Sequence, residues 1–240
     1  TDIGRAGVNG FFLPGFMNTV GVSGLDSLFS EYGMRFSYHG YASADRARKE
    51  GAKILRPDGR PAFFDPIVSK IKVEGLTAFL KQYGTERWLF DLRGQDEPFN
   101  EIASILQPGA YEWANSQIKA KYGVELGVPV GTPDVPYQNQ TVHETSRGIP
   151  DQATALSRIA MFRWLNGVYR ATAEKEYAAA KKYAPSKLFE AYNRNAVADM
   201  DFLDQSNIHA ITDYYSADPY PSFCSYVYGA ARSRYHVGFT

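Results

Sequence analysis

The chain has 240 residues, of which 44% are hydrophobic, which suits one α/β domain with a sizeable core. Its 26 basic and 26 acidic residues balance, so no excess of charge indicates a nucleic-acid partner or an anionic membrane surface. The single cysteine, Cys224, excludes an intrachain disulfide, and no apolar run reaches the roughly 18 residues of a membrane span.

The amino-terminal part of the sequence alternates strand-like and helix-like segments. Strands are predicted at 8–13 and 34–41, and a helix between them at 23–32 ends at Gly33. A short strand is predicted at 53–55, before a Pro-Asp-Gly turn.

A longer helix and a buried strand come next. The helix is indicated by apolar residues at helical spacing, which are Val68, Ile71, Leu76, Phe79, Leu80 and Tyr83. The strand is predicted at 87–92, and an acidic pair, Asp96 and Glu97, lies just beyond it. A further helix is predicted at 99–122, with an interruption at Pro108-Gly109.

The carboxyl-terminal part begins with a long loop at 127–151, which is rich in Gly, Pro, Asn, Gln and Thr and has no periodicity. Asp151 is the predicted N-cap of the longest helix, which runs to about Tyr183. The predicted inner stripe of that helix is Leu156, Ile159, Phe162, Leu165 and Tyr169. The elements predicted after it are a strand at 187–192, a short helix at 198–204, a strand at 209–214 and a helix at 222–234.

This alternation of strands and helices predicts parallel strands joined by right-handed crossovers. Two architectures fit it, a (β/α)₈ barrel and an open doubly wound sheet. No linker divides the sequence, so residues 1–240 are predicted to form a single domain. The sequence starts with Thr1 and no signal peptide is visible, so we expect a processed or trimmed chain, with a secreted or periplasmic location preferred.

Several motifs that would indicate other chemistry do not occur. The sequence has no phosphate-binding or dinucleotide-binding glycine motif, no G-x-S-x-G and neither H-E-x-x-H nor C-x-x-C, so we predict no cofactor. The four histidines are isolated in sequence, and His143-Glu144 lies in the long loop. A metal-dependent hydrolase that uses His39, His143 and acidic residues remains an alternative.

Polar residues recur where the predicted strands end. They are Tyr38, His39, Asp96, Glu97, Asn193, Arg194, Asp213, Tyr214, Asp218 and Tyr220. In a parallel α/β barrel the carboxyl ends of all strands lie on one face, and active sites are built there. Carboxylates, amides, a guanidinium and phenols can bind sugar hydroxyls, while aromatic rings cover the apolar side of a sugar. The pattern therefore predicts a carbohydrate-binding pocket.

Several of these positions also have a purely structural interpretation. Asp96 can cap a helix that starts near Pro98. Asn193 can be an ordinary turn residue, and Asp218-Pro219-Tyr220-Pro221 can be a rigid turn. His39 can be a hydrogen-bonded histidine of the core or the rim.

Three short motifs, spread over roughly residues 85–225, carry a resemblance to a known class of enzyme. The stretch Gln95-Asp96-Glu97-Pro98 has an acidic residue at the end of a middle strand, and a strand ending in Asn193 follows the long helix. A later D-x-x-x-x-D-P-Y-P pattern runs from Asp213 to Pro221. The chain resembles the (β/α)₈ glycoside hydrolases of the large retaining superfamily that includes β-galactosidases. This resemblance implies a parallel barrel of TIM type, a carbohydrate substrate and hydrolysis of glycosidic bonds.

The resemblance makes Glu97 the general acid/base, which works with a second carboxylate as nucleophile. The superfamily usually has Asn before this Glu, and here the position is Asp96. The Asp-Glu pair also resembles families that act on N-acetylated sugars, in which the Asp orients the acetamido group that serves as nucleophile.

The second carboxylate normally lies on the strand after the D-P-Y-P strand, and no such strand is predicted before Thr240. We therefore expect a barrel without its last strand–helix units, completed by a carboxyl-terminal portion or a second chain, unless the substrate supplies the nucleophile. A non-catalytic carbohydrate-binding or scaffold barrel is the main alternative.

Overall fold

The computed structural model describes residues 10–40, 42–54, 60–96, 110–126, 152–195, 211–218 and 237–239. These ranges contain six strands: β1 (Gly10–Phe12), β2 (Arg35–His39), β3 (Leu89–Asp96), β4 (Leu188–Asn195), β5 (Tyr215–Asp218) and β6 (Val237–Phe239). The helices are α1 (Leu13–Tyr32), α2 (Ala44–Lys49), α3 (Pro66–Tyr83), α4 (Ala110–Tyr122) and α5 (Gln152–Tyr183). No helix within these ranges is both long enough and apolar enough to cross a membrane.

The six strands form one parallel sheet whose spatial order is their order in the chain, β1 to β6. Successive strands of a barrel are arranged in this way, whereas a doubly wound sheet reverses its strand order at a switch point. The predicted α/β fold with parallel strands is confirmed. Within the described ranges β1 and β6 do not pair, so a full barrel is not formed there.

The strand predicted at 53–55 is wrong for the two residues that are described, Lys53 and Ile54. Their backbone N–H groups donate to Oδ2 of Asp65, each at 3.1 Å, instead of to a neighbouring strand. The other oxygen of Asp65 accepts from the N–H of Ile67 at 2.8 Å and caps α3. One carboxylate thus replaces the strand pairing and starts the next helix.

The strand predicted at 209–214 is also wrong where it is described, because β5 begins only at Tyr215. In the preceding segment, the backbone N–H of Asp213 donates to Phe189 O on β4 at 2.7 Å, and side chains bind further backbone groups of that strand. Asp213 Oδ2 accepts from Phe189 N at 2.8 Å, and Thr212 Oγ1 accepts from Ala191 N at 3.2 Å. A sixth strand that the sequence analysis did not predict, β6, then pairs with β5.

The helix predicted at 23–32 is the second part of α1, which begins already at Leu13. The two parts meet at Gly21, whose φ of 65° and ψ of 177° are not helical. The predicted helix around Val68 is confirmed as α3. It begins after its N-cap Asp65 and is capped at its carboxyl end by Gly84.

The long helix α5 has the predicted length, but its predicted inner stripe is partly wrong. Leu165 and Tyr169 are fully buried, whereas Leu156 and Ile159 are 49% and 47% exposed. Leu156 and Leu165 are nine residues apart, which is about two and a half turns at 3.6 residues per turn, so they lie on opposite sides. The buried side at this end holds Ala160, Met161 and Trp164 instead. The side chain of Phe162 and the residue Asp151 lie outside the described part.

The two faces of the sheet differ in chemistry. On one face the register partners Leu92 and Phe189 belong to the hydrophobic core that the helices cover. Tyr38, the partner of Leu92 on β2, stacks on Phe79 of α3 with ring centroids 3.7 Å apart. We call the opposite face of the sheet the inner face. Because side chains alternate along a strand, Arg93 lies on the inner face with its register partner Glu190.

Candidate active site

Polar residues from four neighbouring strands occupy the carboxyl end of the sheet. His39, Asp96, Asn195 and Asp218 are the last residues of β2, β3, β4 and β5. Asp96 is in register with Asn193, and Asn195 is in register with Asp218. We call these five positions the carboxyl rim. Arg194 lies between the two rim positions of β4, in register with Ala217. Among the other predicted site residues, Glu97 and Tyr220 lie outside the described residues.

A buried charged cluster lies on the inner face, nearer the amino ends of the strands. It consists of Asp91, Arg93, Glu190 and Tyr214, and we call it the inner cluster. The Nε atom of Arg93 is 3.8 Å from Asp91 Oδ2 and 3.7 Å from Glu190 Oε2. The hydroxyl of Tyr214 donates to Asp91 Oδ2. The three charged residues are each at most 8% exposed, so these interactions are shielded from water.

The protonation of Tyr214 follows from this surrounding. Burial and the carboxylates of Glu190 and Asp91 raise the pKa of Tyr214 far above its usual range. Its hydroxyl therefore stays protonated and donates to Asp91. The sequence analysis did not single out Asp91, Arg93 or Glu190. The available signal was the placing of Asp91 and Arg93 two residues apart, on either side of the apolar Leu92, since this spacing puts both on one face of a strand.

Two predicted sugar-binding residues, Asp213 and Tyr214, lie elsewhere. Both precede β5, so the predicted position at the carboxyl end of a strand is wrong for both. Asp213 accepts from Phe189 N near the start of β4, from the ammonium of Lys181 and, at 3.3 Å, from the hydroxyl of Tyr177. These contacts hold it at the end of the sheet opposite the carboxyl rim.

Tyr38 and His39 were both predicted to contact substrate, yet they point to different faces. Tyr38 packs on Phe79 beneath the helices, on the face of the sheet opposite to the inner cluster, and its role in substrate binding stays a prediction. His39 is in register with Arg93 and shares the inner face with it. Burial, together with the positive charges of Lys72 and Arg93, lowers the pKa of His39 to about 3, and a hydrogen bond with the Gly94 backbone opposes this shift. The imidazole is therefore neutral at pH 7 and can both donate and accept a hydrogen bond.

This lowered pKa predicts a pH-dependent stability. Below pH 6.5 the unfolded chain protonates His39 while the folded chain does not, so the free energy of unfolding falls as the pH falls towards 3. We expect His39 to account for about 2 kcal/mol of the loss between pH 8 and pH 5. Urea unfolding of His39→Gln at both pH values should show a smaller loss than the wild type. Equal losses in the two proteins would contradict a buried neutral His39.

Within the described residues, no group of three or more His, Cys, Asp and Glu side chains is arranged to hold a metal ion. His143, which the metal-dependent alternative requires, lies outside them.

Comparison with solved structures finds glycoside hydrolases. A β-galactosidase from the psychrophilic Marinomonas ef1 is 13% identical with a TM-score of 0.63, and the match covers 91% of this chain and 37% of the other. A GH42 β-galactosidase from G. stearothermophilus is 14% identical with a TM-score of 0.59, over 92% of this chain and 37% of the other. An exo-β-agarase is 12% identical with a TM-score of 0.53, over 88% and 31%.

No protein-family model and no curated protein matches the sequence. The chain spans 37% of the length of the two β-galactosidases, and at 13–14% identity the likeness is one of fold. The predicted resemblance is confirmed at this level: the structural neighbours of the chain are GH42 and related β-galactosidases, which are TIM-barrel glycoside hydrolases.

Proposed function

We propose that the chain is a glycoside hydrolase, or a part of one, that cleaves glycosidic bonds in an oligosaccharide or polysaccharide. The observation that carries this proposal is the carboxyl rim, where polar positions of four successive parallel strands meet. Enzymes with parallel barrels build their active sites at this end of the strands. The fold similarity to β-galactosidases supports the same class of reaction.

Glu97 is the proposed general acid/base. It directly follows β3, in which Asp91 and Arg93 occupy the inner face. Position 97 has the same parity as 91 and 93, and the proposed role requires its carboxyl group to face the same way as theirs. Position 96 has the parity of Leu92, which packs under the helices. This parity favours a supporting role for Asp96, such as orienting Glu97 or the substrate.

The proposed reaction begins with proton transfer. Glu97, as a carboxylic acid, protonates the glycosidic oxygen while the bond from that oxygen to the anomeric carbon breaks. This role requires an acid that stays protonated near neutral pH, which burial or a neighbouring carboxylate brings about in such enzymes. After the leaving group departs, the Glu97 carboxylate accepts a proton from the water that attacks the anomeric carbon and releases the sugar.

The nucleophile has two proposed sources. In the two-carboxylate mechanism it comes from the strand after the D-P-Y-P stretch, and in this chain that strand is β6. The residues of β6, Val-Gly-Phe, carry no carboxylate, so it would come from a position beyond β6 or from a second chain that completes the barrel. In the substrate-assisted mechanism the acetamido group of an N-acetylated sugar attacks, and Asp96 orients it.

The sugar itself would be bound by the rest of the rim. We propose that neutral His39, Asn193, Arg194, Asp218 and Tyr220 form the sugar-binding face. The β-galactosidase and agarase neighbours make galactosides the first substrates to test.

The test is hydrolysis of aryl β-galactosides, galactan oligosaccharides and aryl N-acetylglucosaminides by the purified chain, with binding of the same sugars measured by calorimetry. We expect turnover of at least one class, and preference for the N-acetylated sugar would favour the substrate-assisted route. Binding without turnover would overturn the enzymatic proposal in favour of a carbohydrate-binding barrel. Loss of turnover after exhaustive chelation would favour the metal-dependent alternative. Absence of both binding and turnover would contradict every hypothesis that involves a carbohydrate.

A further inference from the structure

We propose that Tyr214 is a positioning residue, which fixes the start of β5 to β3 across the intervening strand and thereby sets the place of Asp218 on the carboxyl rim. The tie between strands is independent of the activity of the chain. Its consequence for catalysis rests on the proposed function, because it assumes that the rim binds sugar.

The hydrogen bond between Tyr214 and Asp91 joins strands that are not neighbours. Tyr214 directly precedes β5, Asp91 lies on β3, and β4 runs between them. Adjacent strands are about 4.8 Å apart, so backbone groups of β3 and β5 are too distant to bond to each other. A long side chain on the inner face can cross this distance, and the rigid ring of a tyrosine does so with few rotatable bonds.

The tie from Tyr214 adds to two short strand pairings of β5, with β4 on one side and with the three-residue strand β6 on the other. β5 has four residues, and its register with β4 consists of Arg194 with Ala217 and Asn195 with Asp218. The segment before it is attached to β4 by Asp213, whose backbone N–H donates to Phe189 O at 2.7 Å and whose carboxylate accepts from Phe189 N. The side chain of Tyr214 attaches the same segment to Asp91 on β3. Consecutive residues thus attach the start of β5 to two different strands, and Asp218 follows four residues after Tyr214.

The acceptor makes this tie specific. Asp91 is 2% exposed, and its carboxylate shares the inner cluster with Arg93 and Glu190. A hydrogen bond to a buried carboxylate is stronger than one between neutral groups. Removing the hydroxyl leaves the buried carboxylate of Asp91 with one hydrogen-bond donor fewer, and the remaining phenyl ring cannot replace that donor. The hydroxyl, rather than the ring, therefore carries the positioning effect.

The structural arm of the test is amide hydrogen exchange in Tyr214→Phe. We expect exchange within Tyr215–Asp218 to become about tenfold faster, because the start of β5 loses its tie to β3, while α2 stays unchanged. The matched control is Tyr177→Phe, which also removes a hydroxyl bound to this segment, at Asp213, but from the helical side. Asp213 keeps Lys181 and Phe189 N as partners, so the control should exchange like the wild type. Unchanged exchange of β5 in Tyr214→Phe would overturn the proposal.

A second variant covers the case in which Tyr214→Phe does not fold. Asp91→Asn keeps an oxygen that can accept from Tyr214 but removes the charge that strengthens the bond. We expect exchange of β5 to be faster than in the wild type and slower than in Tyr214→Phe if that protein folds. Exchange at the wild-type rate in Asp91→Asn would contradict a charge-assisted tie.

The functional arm uses a glycoside that the wild type cleaves. Tyr214→Phe should raise KM about tenfold with little change in kcat, because it displaces a binding position and not the acid/base. Asp218→Asn should raise KM to a similar extent. The double variant Tyr214→Phe/Asp218→Asn should have a KM no higher than that of Asp218→Asn alone. A KM of the double variant that equals the product of the two single fold-changes would overturn the link between Tyr214 and Asp218. If the wild type cleaves no glycoside, the proposed function fails, and the exchange experiment still decides on the tie.

Discussion

Lys72→Met is expected to lower the free energy of unfolding by about 3–5 kcal/mol, because it leaves the carboxylate of Glu176 buried without its cation. Lys72 on α3 and Glu176 on α5 are each 2% exposed in their side chains, and Nζ is 3.5 Å from Oε1. The ammonium also lies 4.7 Å from the centroid of the Phe63 ring. The expected fall in the thermal midpoint is roughly 6–20 °C for a chain of this length.

Two further variants separate the loss of the buried pair from a general effect of removing charge. Lys70→Met on the same helix removes an exposed pair, with Nζ of Lys70 3.1 Å from Oε2 of Glu50, and should cost less than about 1 kcal/mol. The double variant Lys72→Met/Glu176→Leu replaces both charges by apolar groups and should regain most of the stability, since no isolated charge remains. Urea unfolding followed by circular dichroism measures all of these. A loss in Lys72→Met no larger than in Lys70→Met would contradict a buried ion pair.

The pH dependence of Lys72→Met gives an independent check. Burial already raises the pKa of Glu176, and Lys72 opposes this shift. Without Lys72, Glu176 takes up a proton in the folded chain at a higher pH than in the unfolded chain. The folded state then binds more protons than the unfolded state. The free energy of unfolding that Lys72→Met loses relative to the wild type should therefore become smaller as the pH falls from 8 towards 5. A deficit that grows over this interval would contradict the assignment.

Glu97→Gln is expected to lower kcat for a glycoside with a sugar leaving group by about a thousandfold, because the amide cannot donate the proton that this leaving group needs. Sugar binding should persist, since the amide has nearly the same shape. Glycosides with a dinitrophenol leaving group should be affected far less in the bond-breaking step, because that phenolate departs without protonation. The measurement is kcat for both substrates, with binding followed by calorimetry.

Two controls make this result specific to Glu97. Glu86→Gln is the same substitution before the amino end of the same strand, away from the carboxyl rim, and should leave kcat unchanged. Asp96→Asn tests the neighbouring carboxyl group: a large loss confined to N-acetylated substrates would indicate the substrate-assisted route. Equal losses of Glu97→Gln on good and poor leaving groups would exclude Glu97 as the acid, and unchanged hydrolysis would exclude it from catalysis.

The elements that the sequence predicted well carry their signals locally. The helix α3 follows from an apolar stripe, and α5 follows from the predicted N-cap Asp151 after a long loop. The strands β2, β3 and β4 lie where apolar runs end in polar residues. Hydrophobic periodicity depends only on residues that are close in the sequence, so a single sequence is enough to recognise it. The same local pattern predicted that His39, Asp96 and Asp218 lie at or just beyond strand ends, and they are the last residues of β2, β3 and β5.

The tertiary structure decided which face each residue occupies and which distant groups it meets. Tyr38 faces the helices because its ring stacks on Phe79, and Tyr214 lies on the inner face because Asp91, 123 residues away in sequence, accepts its hydrogen bond. Lys72 meets Glu176 only because α3 packs on α5. Strand register and helix packing fix such partners, and both depend on contacts between segments far apart in the chain. The sequence alone determined the alternation of strands and helices and the polar strand ends, whereas folding in three dimensions determined the inner cluster and the buried ion pair.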